Sequence, residues 1–199
     1  MNREKVSQEM VQKNKFWKIR TVDLILCALF AALIAVGAFI KIPIPGVPFT
    51  LQVLFTTLAG LLLGSRMGAV SVAIYIILGL AGVPIFTGGG GIGYVVYPTF
   101  GYLIGFLVGT FVTGWIVERG KTITYPRLFA ATGAGLAIVY FCGIVYFYLI
   151  SNFYTNNPIG IWTVIVQCFL VVAPGNIACC IGGIFLAKRL IPILRKGQF

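Results

Sequence analysis

The sequence predicts an all-α integral membrane protein of six transmembrane helices, with the N- and C-termini in the cytoplasm. Three observations predict it: a composition too apolar for a water-soluble globule, apolar runs long enough to cross a bilayer, and positive charge confined to alternate connections. Hydrophobic residues make up 59% of the 199 and charged residues 10%, with a mean hydropathy of +1.01. A soluble domain carries about 25% charged residues. A chain this apolar lacks the polar surface to cover a globule, so lipid is the solvent that suits it.

The chain opens on a basic segment, 1–21, expected at the inner membrane surface, with Val6, Met10, Val11, Phe16 and Trp17 set among its charges. A signal peptide would continue with about 7–15 apolar residues and a small-residue cleavage site. Here the apolar run from Val22 to Ile40 is longer and ends in KIPIPGVP, which reads as an uncleaved first span. A helix crosses the ~30 Å hydrocarbon layer in about 20 residues. The predicted spans are 22–40, 49–64, 67–82, 98–117, 128–150 and 160–187. The third is short; the sixth is long and interrupted at Pro174-Gly175. Together they form a six-helix membrane domain, 22–190, followed by a basic cytoplasmic tail, 191–199.

Charge placement tests the count independently. With the N-terminus inside, the inner segments hold six basic residues in 1–21, Arg66 in 65–66, three in 118–127 and four in 188–199. The outer connections, 41–48, 83–97 and 151–159, hold Lys41 alone of the fifteen. Short cytoplasmic loops are enriched in Lys and Arg, and an odd error in the count would scramble the alternation. The same spread over four segments argues against nucleic acid as the partner of the +11 net charge, because no single basic stripe forms.

Several chemistries lack residues to carry them. There is no histidine, and the four acids are Glu4, Glu9, Asp23 and Glu118, none expected deep in the bilayer. Paired-carboxylate hydrolysis, His-based nucleophilic catalysis, His-ligated metals and proton relays are therefore disfavoured. The run from Gly114 to Gly120-Lys121-Thr122 resembles a phosphate loop, but it has five intervening residues where four are needed and follows a membrane helix. The five cysteines form no CxxC pair and read as small apolar filler. No enzyme activity, cofactor or metal is expected.

The outer connections are the place for a ligand. The first is proline-rich, Lys41-Ile-Pro-Ile-Pro-Gly-Val-Pro48, and leads into Phe49-Thr50-Leu51-Gln52. The second carries Gly88 to Gly91 in a row, with Phe86, Tyr94, Tyr97 and Tyr102 nearby. Consecutive glycines let a backbone approach a ligand and expose N–H groups, and the aromatics supply an apolar wall. Such a set suits a small, largely neutral organic molecule; a flexible linker with helix-packing glycines is the alternative. In the sixth segment Pro174-Gly175-Asn176 reads either as a simple kink or as a helix start, whose free N–H groups and Asn176 would face a polar ligand group. Ala28/Ala32 and Ala31/Ala35 make a small-residue ridge on the first span, fitted to close packing with an internal helix or a separate subunit.

These motifs together resemble the BioY proteins, the biotin-binding S components of energy-coupling factor (ECF) transporters. The resemblance runs from about residue 22 to 190 and rests most specifically on Pro48-Phe-Thr-Leu-Gln52, the block from Gly79 through the glycine run to Tyr94, Pro98-Thr-Phe-Gly-Tyr102 and Pro174-Gly175-Asn176. It implies a subunit in the cell membrane that captures biotin on the extracellular side. A membrane scaffold subunit and two cytoplasmic ATPases would supply the energy. The implied substrate-binding set is Gln52, Phe86, Thr87, Gly89, Gly90, Gly91, Tyr94, Tyr146 and Asn176. Ala28, Ala31, Ala32 and Ala35 would face the scaffold. The ureido–thiophane rings would lie against Phe86 and Tyr94, with Asn176 and Gln52 bonding the ureido group. One departure stands out: the family pattern has Asp and, three positions later, Lys where this chain has Asn176 and Cys179. The biotin carboxylate is then left to Lys41 or to the backbone N–H groups of 88–93. A different vitamin, a self-contained facilitator and a thiol oxidoreductase using Cys179-Cys180 are the competing readings.

Overall fold

The computed structural model describes residues 21–44, 46–120, 122–155 and 158–194, so the leader 1–20, Lys121 and the end of the tail lie outside the described residues. The chain is built of helices, joined by one two-stranded hairpin. Helix α1 is Thr21–Phe39, strands β1 (Lys41–Ile42) and β2 (Phe49–Thr50) pair antiparallel, and α2 is Gln52–Leu80. A 3-10 turn at Ile92–Val96 precedes α3, Phe100–Glu118, and α4 is Tyr125–Leu149, extended by a π-helical segment to Tyr154. Helix α5, Ile161–Ile165, continues through a π segment, Val166–Leu170, and a turn into α6, Ala173–Leu194. Among the described residues five helices are long and apolar enough to cross a membrane, not the six predicted.

The difference lies in α2, which joins the predicted spans 49–64 and 67–82. Its backbone leaves helical geometry at Gly64, where φ is +84. A straight helix would hold Gln52 and Tyr75 about 34 Å apart at 1.5 Å per residue. Instead the Gln52 amide donates to the Tyr75 hydroxyl at 2.9 Å. The element therefore folds back on itself as two antiparallel arms. Gly64 makes the reversal because a left-handed φ is costly for any residue with a Cβ. The Glu118 carboxylate from α3 holds the start of the second arm, accepting from the Ser65 amide at 2.9 Å and its hydroxyl at 2.5 Å. An anion at a helix N-terminus meets unsatisfied N–H groups and the positive end of the dipole.

Helices α3 and α4 approach closely through small residues: a Cβ on Gly109 would lie 2.7 Å from the Gly135 carbonyl oxygen. Buried hydroxyls stitch this part of the bundle, with Thr110 donating to the Thr56 carbonyl and Thr113 to that of Ala131. In lipid such bonds are what remains to specify packing, because burying apolar surface gives no advantage over contact with acyl chains. Large apolar side chains such as Ile77, Phe141 and Phe185 point outward and are more than half exposed, as a lipid-facing surface requires.

The ends of the bundle differ. At one lie Glu118 and Ser65, together with Arg119 over the Trp115 ring and Lys188 donating to the Ile123 carbonyl. At the other lie the β-hairpin and the glycine-rich connection, tied by Lys41 Nζ donating to the Thr87 carbonyl at 2.7 Å. The alanine ridge is split between environments: Ala28 and Ala32 are exposed, whereas Ala31 is buried and Ala35 half-buried against the core. Ala31 therefore cannot join Ala28 and Ala32 in one outward surface. Positions 28 and 31 sit about 60° apart around a helix of 3.6 residues per turn, enough to straddle the boundary between core and lipid.

Candidate functional site

A cleft of about 480 Å³, its mouth included, opens at the hairpin end between the start of α2, the glycine-rich connection, α3 and α6. Four of the residues singled out from sequence line it: Gln52, Thr87, Tyr94 and Asn176. Pro48, Thr50, Thr99 and Tyr102 line it as well, and all belong to the motifs around Pro48–Gln52 and Pro98–Tyr102. The apolar wall is completed by Val47, Val53, Leu103, Phe106 and Val172. Nothing in the sequence separates these five from the many other apolar residues of membrane helices.

The glycine-rich connection is a built loop. The amide of Phe86 donates to the Gly89 carbonyl at 2.8 Å, and that of Gly89 returns to Phe86 at 3.2 Å. The Gly91 amide donates to the Gly79 carbonyl at 2.7 Å. Gly82, Gly89 and Gly91 all have left-handed φ, and a Cβ on Gly90 would lie 2.3 Å from the Val83 carbonyl oxygen. Glycine is thus required by the loop's own path. Gly89, Gly90 and Gly91 do not line the cleft, and the amides of Gly89 and Gly91 are already committed.

Phe86 is buried beneath the loop, edge-on to Tyr75 at 5.4 Å and 4.5 Å from Tyr94, which stacks on Tyr97. It supports Tyr94 from behind and does not line the cleft. Tyr146 likewise stands behind, its hydroxyl donating to the Val95 carbonyl. Lys41 is exposed and does not line the cleft, but its bond to Thr87 fixes the residue that does. The resemblance puts Phe86 and Tyr146 in the substrate-binding set; the structure holds both behind the lining by their packing and hydrogen-bond partners.

The cleft's polar equipment is neutral and unevenly satisfied. Gln52 donates to Tyr75 and its Oε1 accepts from the Thr50 hydroxyl at 3.3 Å. Asn176 enters from the first turn of α6, its own amide bonded to the Val172 carbonyl at 3.1 Å. Its side-chain Nδ2 donates to the Tyr140 hydroxyl at 2.8 Å. Its Oδ1 is buried and has no partner among the described residues. A buried acceptor left open costs about 1–3 kcal/mol, so a ligand bringing an N–H or O–H to Asn176 is favoured. Elsewhere in the lining, the hydroxyls of Thr87, Tyr94 and Thr99 form a continuous chain, at 2.9 and 3.1 Å. Tyr102 is tied elsewhere, donating to the Cys168 carbonyl at 3.0 Å. Among the described residues no cluster of three metal-ligating side chains occurs, and all five cysteines are unpaired.

Comparison with known proteins places this geometry. Residues 8–196 match the BioY family. The chain belongs to the BioY family. A probable biotin transporter BioY of Lysinibacillus sphaericus is 43% identical over 178 residues, covering 89% of this chain and 91% of the relative. The biotin transporter BioY of Thermotoga maritima is 43% identical over 137 residues, covering 68% and 77%. A solved crystal structure, the S-component for biotin of an ECF-type ABC transporter, superimposes with a TM-score of 0.73 at 29% identity, covering 96% of this chain and 94% of that one. BioY proteins are transporter components, and with five apolar helices this member is a multi-pass protein of the cell membrane.

Proposed function

We propose that the chain is the substrate-capture subunit for biotin uptake, binding biotin in the hairpin-end cleft and delivering it with an ATPase-driven ECF module. The observation that carries the reading is Asn176, a residue of the cleft lining whose buried Oδ1 has no partner among the described residues, in a cleft of neutral groups. A ureido ring offers N–H donors to such an acceptor without bringing a charge beside it, and the fused rings suit the wall of Tyr94, Phe106 and Leu103. The named relatives and the solved S-component support biotin over another vitamin.

The topology goes with this reading. Each arm of α2 makes its own crossing, giving six, and both termini lie in the cytoplasm. The basic leader 1–21 and the tail then sit at the inner face. The arms 52–63 and 65–80 span about 18 and 24 Å at 1.5 Å per residue, short of the ~30 Å hydrocarbon layer. The cleft accordingly sits below the outer headgroups, reached through the hairpin and the glycine-rich loop. The scaffold subunit, accompanied by two ATPases, meets the exposed Ala28/Ala32 edge of α1. Equilibrium binding of labelled biotin to the purified chain tests the function. Saturable binding displaced by unlabelled biotin but not by thiamine or riboflavin is expected; equal displacement by either vitamin would overturn the substrate assignment.

A further inference from the structure

With Asn176 and Cys179 in this chain, the carboxylate end of the ligand has no charged partner on α6. Lys41 gives one of its three ammonium N–H groups to the Thr87 carbonyl, the Gly89 and Gly91 amides are used inside their loop, and neither Lys41 nor any of residues 88–93 lines the cleft. The hydroxyl chain Thr87–Tyr94–Thr99 remains, and a count of its protons is informative. Three O–H groups are joined by two hydrogen bonds, and no further acceptor meets any of them among the described residues. Two protons are consumed, and one is always left over, whichever way the chain is polarised. All three residues line the cleft, so the spare proton is available to a ligand acceptor there.

The position of Lys41 sets the direction. Its ammonium grips the backbone of Thr87, at one end of the chain, and is remote in sequence and contact from Thr99, at the other. An anion therefore gains most at the Thr87 end. We propose that Thr87 donates the hydrogen bond that receives the ligand carboxylate, backed by Tyr94 donating to Thr87 and Thr99 donating to Tyr94. Hydrogen bonds in such a chain polarise one another, so the two residues behind Thr87 strengthen its donation. Lys41 acts through Thr87 as a positioning residue and supplies the local positive field. The cleft then reads its ligand from two sides: an acceptor at Asn176 demands a donor, and the hydroxyl chain demands an acceptor. The bicyclic end is thereby directed to α6 and the acid end to the glycine-rich loop. This orientation rests on the biotin reading above.

The test compares biotin with biotin methyl ester, which keeps the rings and removes the charge, on parent, Thr87→Val, Thr87→Ser and Thr99→Val proteins. The charge-assisted bond predicts that Thr87→Val weakens biotin binding by about 10- to 100-fold while ester binding changes by less than about threefold. Thr87→Ser restores the preference for the acid, and Thr99→Val lowers it by a smaller factor. A general disturbance of the loop would weaken both ligands alike. An unchanged biotin-to-ester ratio in Thr87→Val overturns this assignment while leaving biotin capture intact. A parent protein that binds neither ligand overturns biotin capture itself, and the orientation with it.

Discussion

Replacing Asn176 by Leu separates binding from folding in a way few substitutions in this chain can. Asn176 is 4% exposed, and its Oδ1 stands open while its Nδ2 is bonded to Tyr140. In the empty protein the open acceptor costs about 1–3 kcal/mol of desolvation that no partner returns. A ligand N–H that bonds Oδ1 returns much of that cost on binding. Asn176→Leu, of similar size, removes the recovery and should raise the Kd for biotin by about 5- to 150-fold at 1.4 kcal/mol per tenfold. The empty protein should not suffer in proportion. Relief of the open Oδ1 offsets loss of the single neutral bond to Tyr140, worth about 1 kcal/mol. The assay is paired: Kd from equilibrium binding, and thermal unfolding of ligand-free protein in the same detergent. An unchanged Kd, or a loss of affinity matched by an equal loss of ligand-free stability, would refute the reasoning.

The remaining predictions address other parts of the structure. Asn176→Asp alone puts an uncompensated carboxylate in a buried site and should lower thermal stability, whereas Asn176→Asp with Cys179→Lys should recover it, because a paired buried charge costs far less than a lone one; unfolding midpoints of the two decide. Glu118→Ala removes the anion at Ser65 and should cost about 1–2 kcal/mol of stability with biotin affinity unchanged, measured by the same two assays. Gly79→Ala would bring a Cβ to 2.1 Å from the Phe86 ring, and the displaced ring no longer supports Tyr94. Overpacking of that kind costs about 1–3 kcal/mol, and biotin binding should fall with stability.

Much of the architecture is legible in the sequence because the bilayer imposes lengths and charge placement that composition reveals directly. The two-residue connection at 65–66 already marks a tight reversal, and Gly64 supplies the backbone conformation it needs. Motif residues lead to the cleft for the same reason: Pro48, Gln52, Tyr94 and Asn176 differ in kind from the surrounding apolar run. Two things stay hidden. One is which apolar residue faces inward, since core and lipid favour the same side chains and α1 gives Ala31 and Ala32 no distinguishing mark. The other is whether a polar group is already satisfied. Lys41 and the amides of Gly89 and Gly91 are free donors in the sequence, yet they bond Thr87, Phe86 and Gly79 along a loop path that only three dimensions disclose.

The central claim is that this cleft, facing the exterior, is where biotin resides. Accessibility of a single cysteine at Pro48, half-buried in the cleft wall, tests it most directly, in a variant whose five native cysteines are replaced by alanine. A small membrane-impermeant thiol reagent applied to intact cells should label Pro48→Cys, and biotin, but not thiamine, should slow the labelling. Labelling that requires lysed cells, or that proceeds at the same rate with saturating biotin, would contradict the account.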